Sequence, residues 1–300
     1  MGKTRLKNRL QQGLFILDGA MGTQLIAHGA EPGKCSELLN IESPGLVIRI
    51  HKAYLQAGSD AIITNTFGSN GFNLARHGLA NRLEEINTSA AHLARKAAGQ
   101  NKYVLGDIGP SGDFLEPLGH LKPDQLRTAF HNQAKALLAG GVDGFIIETM
   151  SAVDEIVLAI KAAKSAGPDV PVLASMSFDR RGDDFKTMMG VDVKKAVSAL
   201  ISAGADAVGF NCGSATLDEY VELAKKYVDE IRATGKDVPL FAEPNAGRPD
   251  VIDGKTMYRV TPDEFAEAAQ KIYDSGVTII GGCCGTSPDH ITALTKKMRG

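Results

Sequence analysis

The sequence predicts an α/β fold, a single (β/α)8 barrel over residues 1–300. Two observations lead to this prediction. Eight short apolar runs alternate with eight amphipathic segments, a pattern typical of parallel strands joined by crossover helices. Four helix-to-strand junctions also share one pattern, in which a glycine ends the helix and an apolar run follows. Eight units favour closure into a barrel over an open doubly wound sheet, which would bind ligands at one crevice only.

The predicted strands are short and apolar and cover residues 14–18, 61–66, 103–108, 144–149, 172–178, 207–212, 240–244 and 278–283. The predicted helices cover about residues 43–57, 81–99, 122–139, 151–166, 192–203, 217–234, 261–275 and 288–298. A capping residue or a proline stands at the first turn of several of these helices, as is typical of helix N-termini. Residues 1–12 carry four basic side chains and no apolar signal-peptide core, so we expect them to be a polar lead-in.

The junction pattern also predicts where the functional site lies. Polar residues follow each junction glycine by seven or eight positions. They are Asn65 and Thr66, Glu148 and Thr149, Asn211 and Cys212, and Cys283 and Cys284. Four strands therefore bring polar groups to the same height, which in a barrel is the C-terminal mouth where active sites lie.

Composition excludes several classes of function. A net charge of −2 and a pI near 6.4 indicate no basic patch, so nucleic acid is not an expected partner. The apolar runs are far shorter than the roughly 20 residues needed to span a bilayer, so we expect no membrane association. Four cysteines without a regular framework favour metal binding or catalysis in a reducing cytoplasm over disulfides.

Three of the four cysteines are candidate metal ligands. Cys212 ends one strand-like run, and Cys283 and Cys284 follow another between glycines. Thiolates grouped in this way favour zinc, and three ligands leave one tetrahedral position open. The alternatives are a vicinal disulfide or plain buried cysteines, and the latter is our interpretation of Cys35. The histidines are expected on loops or helices, with His290 capping the last helix.

A zinc ion held by three thiolates activates water only modestly, but it can bind a fourth thiolate well. A substrate thiol, with a solution pKa of about 8.5, would lose its proton at the open position and remain nucleophilic. The cysteine pattern therefore predicts alkyl transfer to sulfur.

The chain resembles the homocysteine S-methyltransferase family, and most closely the homocysteine-binding module of cobalamin-dependent methionine synthase. The matching motifs are Asp18-Gly19-Ala20-Met21-Gly22-Thr23-Gln24-Leu25, Thr64-Asn65-Thr66-Phe67-Gly68, Ile147-Glu148-Thr149, Gly209-Phe210-Asn211-Cys212, Glu243-Pro244-Asn245-Ala246-Gly247, Gly281-Gly282-Cys283-Cys284-Gly285 and, for the subgroup, Glu37-Leu38-Leu39-Asn40. The resemblance implies a (β/α)8 barrel, zinc on Cys212, Cys283 and Cys284, and methylation of homocysteine to methionine.

The resemblance also implies how homocysteine binds. Asp18 and Glu148 would hold its ammonium, although a turn cap and a buried ion pair are the alternatives for these two residues. A glycine-rich turn could cradle the carboxylate with the backbone N–H groups of Gly19, Ala20, Met21, Gly22 and Thr23. Asn245 would occupy the open zinc position when substrate is absent. Asn65, Thr66 and Asn211 would line the pocket or orient ligands.

The methyl donor implied by the resemblance is methylcobalamin, bound by another domain or by a separate corrinoid protein. We therefore expect either a fragment of a larger synthase or a stand-alone subunit, with the charged stretch Asp179–Met189 as a flexible part of the docking face. An S-methylmethionine- or betaine-dependent enzyme is the alternative. Further alternatives are a non-catalytic zinc or thiol-binding module and a phosphate-binding barrel.

Overall fold

A computed structural model describes residues 3–252 and 255–300 and contains the predicted barrel. Eight parallel strands form one nearly closed sheet in the order β1-β8-β7-β6-β5-β4-β3-β2. The strands are β1 Phe15–Ile16, β2 Ala61–Ile63, β3 Tyr103–Ile108, β4 Gly144–Met150, β5 Val172–Met176, β6 Ala207–Asn211, β7 Leu240–Glu243 and β8 Ile279–Ile280. The prediction of a (β/α)8 barrel is confirmed.

Eight helices cover the outside of the sheet, and each lies within two residues of its predicted bounds. They are α1 Pro44–Gln56, α2 Leu83–Ala98, α3 Pro123–Ala139, α4 Val153–Ala166, α5 Val193–Ala203, α6 Leu217–Thr234, α7 Pro262–Asp274 and α8 Pro288–Arg299. Short helical segments lie at Leu6–Arg9, Met21–Ala27, Ser36–Leu38, Leu39–Glu42, Gly71–Arg76 and Ala80–Arg82. Within the described ranges, no helix is both long and apolar enough to cross a bilayer.

Most predicted strands extend past their observed carboxyl ends, and the difference is largest in two of them. β2 ends at Ile63 and not at residue 66, and β8 ends at Ile280 and not at Cys283. After β2 the chain turns, because the N–H of Thr66 donates to the carbonyl of Thr64 and no longer to a neighbouring strand. The polar residues at the mouth therefore lie on loops that leave the sheet.

The stretch Asp179–Met189, which we expected to be flexible, is largely an ordered hairpin. Asp179–Arg181 pairs with Asp184–Lys186, and Phe185 of the second strand is fully buried. Ion pairs from Arg180 to Glu222 and from Lys226 to Asp184 attach the hairpin to α6. A second hairpin, Asp250–Ile252 with Lys255–Met257, follows β7.

The segment expected to be a polar lead-in closes the bottom of the barrel. Its residues 1 and 2 lie outside the described residues, but Leu6 and Leu10 are buried. They belong to the apolar cluster inside the strands, together with Phe15, Leu17, Ala61, Tyr103, Leu105, Ile146, Leu173, Ala207, Phe241 and Ile279. The lead-in is therefore part of the core, because the wide amino end of the barrel needs apolar side chains to fill it.

The aspartates of the repeated junctions join neighbouring strands at this amino end. In three junctions the carboxylate accepts the N–H of a residue on the preceding strand. Asp60 accepts from Ile16 at 2.9 Å, Asp143 from Val104 at 2.8 Å and Asp206 from Val172 at 2.9 Å. The backbone N–H of each aspartate donates in return to a carbonyl of that strand.

Basic side chains surround these three carboxylates. Asp60 pairs with Arg9 and Arg299, Asp143 with Lys3 and Arg95, and Asp206 with Lys7 and Lys164. Three of these bases come from the N-terminal segment, which explains its basic composition. The repeated aspartate therefore sets the register of the pairs β3–β4 and β5–β6 and joins β1 to β2, which form no ladder with each other.

We expect Asp206→Ala to lower the free energy of unfolding by about 1–3 kcal/mol, because the Val172 N–H loses a charged acceptor. Burial acts to raise the pKa of Asp206, but hydrogen bonds from Lys164 and Val172 outweigh it and the pKa is lowered. This stabilisation is thus complete above the ordinary aspartate pKa of about 3.9 and is lost as the pH falls through the lowered pKa.

Urea unfolding of wild type and variant at pH 7 and at pH 3 measures both effects. Asp229→Ala is the control, since Asp229 is an exposed residue whose ion pair with Arg232 lies on the surface of α6. Equal losses in the two variants would contradict a register role for Asp206.

Candidate active site and metal centre

The side chains that face the barrel interior are apolar in its inner layers and polar at its C-terminal mouth. Side chains two residues apart on a strand share a face. Because Leu105 and Phe241 point into the barrel interior, Asp107 and Glu243 point inward as well, one layer nearer the mouth. They line a cavity of about 250 Å³ whose wall also includes Gly19, Ala20, Met21, Gly22, Thr23, Ser36, Glu37, Ile63, Thr64, Asn65, Thr66, Phe67, Glu148, Thr149, Cys212, Gly282, Cys283 and Cys284.

The three predicted cysteines meet at this cavity. The sulfur of Cys284 lies 4.0 Å from the sulfur of Cys212 and 4.0 Å from that of Cys283, and all three lie within 4.8 Å of one another. Sulfurs bound to one tetrahedral zinc ion at about 2.3 Å lie about 3.8 Å apart. The spacing therefore fits a shared zinc ion, and among the described residues this is the one such group of metal-binding side chains.

Close packing explains the glycines before the cysteine pair. A Cβ atom on Gly281 would lie 2.7 Å from the Cβ of Leu17, and one on Gly282 would lie 2.6 Å from the Oγ1 of Thr286. The N–H of Cys283 then donates to the carbonyl of Pro244 at 2.9 Å, which holds the cysteines beside the loop after β7. The glycines thus let β8 approach β1 closely enough to place both cysteines at the mouth.

The sulfur cluster favours a thiolate. Hydrogen bonds from the thiols of Cys212 and Cys283 lower the pKa of Cys284 to about 3, whereas contacts with Cys212 and Cys284 raise the pKa of Cys283. A hydrogen bond with Cys283 acts to lower the pKa of Cys212, but the contact with Cys284 and burial outweigh it and raise this pKa to about 11. The fourth cysteine, Cys35, lies outside the cluster, and burial and the nearby Glu37 raise the pKa of its thiol to about 11. His290 caps α8, as its position predicts, through a contact of Nδ1 with the hydroxyl of Ser287.

Asn245 does not line the cavity, but it carries an unused oxygen on the loop after β7, whose backbone bonds to that of Cys283 and Cys284. Its side chain is buried, and its Nδ2 donates to the carbonyl of Gly213 at 2.7 Å. Its Oδ1 has no hydrogen-bond partner in the part of the chain that the structure describes. A buried amide oxygen of this kind fits a further ligand of a metal ion, since an orphaned acceptor in this position is otherwise unfavourable.

Glu148 is held by a network centred on Asn211. The Nδ2 of Asn211 donates to Glu148 Oε2 and to the hydroxyl of Thr149, and its Oδ1 accepts from the N–H of Thr149 and the hydroxyl of Ser175, both at 2.8 Å. Thr149 and Cys212 both have positive φ, at 60° and 54°. Asn211 therefore positions the carboxylate and holds the strained end of the strand next to Cys212.

Asp18 does not line the cavity wall. Its Oδ2 accepts the N–H of Ile63 at 3.0 Å and so joins the loop after β1 to β2, where the sheet lacks a regular ladder. Its Oδ1 is buried and finds no partner among the described atoms. Asp18 thus combines a structural bond at the barrel seam with one free acceptor.

Two carboxyl groups of the site, Asp107 and Glu243, were missing from the residues chosen by sequence reasoning. Burial and neighbouring carboxylates raise the pKa values of both, and the pKa of Asp18 is raised in the same way. Burial and the nearby Cys212 raise the pKa of Glu148 to about 7. Alternation within the predicted strands would have found Asp107 and Glu243, because each lies two residues after an inward-facing apolar side chain.

The segment predicted as a glycine-rich turn after β1 is the start of the helical segment Met21–Ala27, with Ala20 as its N-cap. It lines the cavity and is joined to the loop after β8. The N–H of Ala20 donates to Thr286 Oγ1 at 3.1 Å, and the N–H of Gly285 donates to Thr23 Oγ1 at 3.0 Å. The hydroxyl of Tyr54 contacts the carbonyls of Ala20 and Thr286. One N–H of the predicted carboxylate cradle is therefore already used within the protein.

Asn65 and Thr66 line the cavity, but their polar groups bind the protein backbone. Asn65 Nδ2 donates to the carbonyl of Ser36 at 2.9 Å, and Asn40 donates to the carbonyl of Asn65. The hydroxyl of Thr66 donates to the carbonyl of Asp107 at 2.8 Å. These contacts order the wall of the cavity.

Comparisons with known proteins agree with the geometry. The sequence model of one family, homocysteine S-methyltransferase, matches residues 15–298. The methionine synthases of Mycobacterium tuberculosis and Mycobacterium leprae are 34% and 33% identical over 96% of this chain, which spans about a quarter of their length. The solved homocysteine methyltransferase MmuM from Escherichia coli is 25% identical in its metallated form, with a TM-score of 0.77 over 99% of this chain and 100% of MmuM. Its oxidized form matches with a TM-score of 0.75 and 25% identity over 98% and 100%.

We expect the purified chain to bind one zinc ion, and Cys212→Ala, Cys283→Ala and Cys284→Ala each to lose tight binding because one thiolate is removed. Metal content after dialysis, and the visible absorption of the cobalt-substituted chain, measure retention and sulfur ligation. Cys35→Ser is the matched control, and a loss of metal as large as in the other three would contradict the assignment.

Proposed function

Because this chain belongs to the homocysteine S-methyltransferase family, we propose that it transfers a methyl group to the thiol of homocysteine and forms methionine. The observation that carries the proposal is a single cavity in which three cysteine sulfurs face a wall of buried carboxyl groups. A ligand that bears both a thiol and an ammonium group satisfies both halves of this cavity. Plain metal storage would need no buried carboxylates beside the sulfurs.

The sulfur half of the cavity would receive the substrate thiol. Cys212, Cys283 and Cys284 would hold a zinc ion, with Asn245 as the fourth ligand before substrate arrives. Such an ion supplies the acidity that converts a thiol into a thiolate near neutral pH. The positive φ of Cys212 and the close packing of the loop after β8 fix the positions of the cysteine sulfurs.

The carboxyl half would receive the amino-acid part of homocysteine. Glu148, held by Asn211, would accept hydrogen bonds from the ammonium. Asp18 would do so through its free oxygen after a local shift on binding, because it does not line the wall of the ligand-free cavity. The substrate carboxylate would lie at the turn of Gly19, Met21, Gly22 and Thr23, since the N–H of Ala20 is already occupied. Asn65 and Thr66 would shape the wall between the two halves.

The donor in this proposal is methylcobalamin, held on another domain or on a separate corrinoid protein. The two curated relatives are methionine synthases about four times as long as this chain, which supports a donor-binding part outside the barrel. The full-length match to MmuM, a homocysteine methyltransferase, supports the alternative of a barrel that uses a small donor such as S-methylmethionine or betaine.

We expect the zinc-loaded chain to convert homocysteine to methionine with methylcobalamin, free or bound to a corrinoid protein, faster than with S-methylmethionine or betaine. Parallel assays with the three donors, with methionine measured by mass spectrometry, decide the donor. Faster turnover with S-methylmethionine or betaine would replace the methylcobalamin proposal. Absence of methionine with every donor, from a folded chain that retains zinc, would overturn the proposed activity.

We expect Glu148→Gln to lower kcat/KM for homocysteine by about 10- to 100-fold, because a charged hydrogen bond to the ammonium contributes about 1.5–3 kcal/mol. The loss should lie mainly in KM, since the reacting sulfur and its ligands are unchanged. Glu222→Gln changes an exposed glutamate of α6 and is the control. An unchanged KM in Glu148→Gln would contradict the role given to Glu148.

A further inference from the structure

Cys212 lies in a strained turn directly after β6. Its φ of 54° falls in the left-handed region that residues with a side chain rarely adopt. The next residue, Gly213, has a φ of 85°, and a Cβ atom there would clash with the carbonyl oxygen of Phe178. Glycine avoids the strain at position 213, but position 212 carries the thiol. Other contacts must therefore hold Cys212 in this conformation.

The hydroxyl of Tyr220 makes the shortest of these backbone contacts. Tyr220 is a fully buried residue of α6, and its hydroxyl donates to the carbonyl of Cys212 at 2.7 Å. The same hydroxyl oxygen accepts the N–H of Asn245 at a longer 3.4 Å. The N–H of Cys212 donates to the carbonyl of Glu243 at 3.3 Å. Among the residues that the structure describes, no other donor reaches the carbonyl of Cys212, so this carbonyl depends on Tyr220.

Packing holds the ring of Tyr220 in place independently of its hydroxyl. The ring lies nearly parallel to that of Phe210 on β6, with 6.3 Å between the centroids and 10° between the planes. Phe210 is itself buried and stands two residues before Cys212. A hydroxyl on a buried and stacked ring has little freedom to move. It therefore presents a fixed donor to the end of the strand.

We propose that Tyr220 is a positioning residue of the metal centre, whose hydroxyl holds Cys212 in the conformation that brings its sulfur to the other two cysteines. Without this hydroxyl the carbonyl of Cys212 would lose its donor. Relaxation of the strained residue would then move its sulfur from its place 4.0 Å from the sulfur of Cys284. The inference rests on the metal centre of the proposed function. It adds a residue of a helix outside the sheet to those on which metal binding depends.

The test removes the hydroxyl alone, because Tyr220→Phe keeps the stacked ring. Tyr227→Phe is the matched control. Tyr227 is a second fully buried tyrosine of α6 whose ring contacts Phe210, and its hydroxyl has no hydrogen-bond partner within residues 3–252 and 255–300. Competition with a chromophoric chelator measures zinc affinity. We expect Tyr220→Phe to bind zinc about 10- to 100-fold more weakly and Tyr227→Phe to bind it as wild type does.

Further measurements separate positioning from a general loss of stability. Zinc should raise the urea midpoint of Tyr220→Phe less than that of wild type, even if the metal-free midpoint also falls, because this increment depends on metal affinity. The thiolate-to-cobalt absorption of cobalt-substituted Tyr220→Phe should fall toward that of Cys212→Ala. In the Cys212→Ala background, Tyr220→Phe should cause little further loss of cobalt affinity, because both changes act on one ligand.

The outcomes separate this inference from the proposed function. Unchanged zinc affinity in Tyr220→Phe, an equal loss in Tyr227→Phe, or the same loss of cobalt affinity with and without Cys212 would overturn the role of Tyr220 and leave the proposed function intact. A lowered metal-free midpoint with an unchanged zinc increment would do the same. A wild-type chain that binds no zinc would overturn the metal centre and the inference with it. A selective loss in Tyr220→Phe that depends on Cys212 is the supporting result.

Discussion

The site depends on carboxylates that join neighbouring strands at the opposite end of the barrel. Asp60, Asp143 and Asp206 each accept an N–H from the preceding strand. This contact sets the register of the pairs β3–β4 and β5–β6, and through Asp60 it joins β1 to β2, where no ladder forms. A shift of one residue would exchange the inward and outward faces of a strand. Asp107 or Glu148 would then point toward the helices. The position of the carboxyl groups at the mouth therefore depends on the aspartate hydrogen bonds at the amino end of the barrel.

Much of the fold could be predicted because its signals are local. The helix α6 begins and ends where the sequence indicates, since Thr216 and Glu219 form a capping box and Gly235 adopts the left-handed conformation at its end. The grouping of Cys212, Cys283 and Cys284 was also expected from sequence, because their strand-end positions repeat along the chain. Their mutual distances required the structure.

The remaining features depend on contacts between distant parts of the chain. Leu6 and Leu10 lie among basic residues, and no periodicity marks them as core residues; they are buried because the barrel is open at its amino end. The bond from Ile63 to Asp18 exists only where the first and second strands meet. The contact between the carboxyl groups of Asp107 and Glu148 likewise exists only because β3 and β4 are neighbours in the sheet.

The glycines before the cysteine pair have a consequence for how the mouth can open. Gly281 and Gly282 bring the loops after β1 and β8 into direct contact, and bonds through Thr286 and Thr23 join them. The proposed metal ligands and the segment proposed for the substrate carboxylate therefore belong to one connected wall. This wall therefore fixes the distance between the sulfur and the carboxylate of a bound amino acid. Thiols with a longer or shorter chain between sulfur and carboxylate would not reach both ends of the site, whatever their charge.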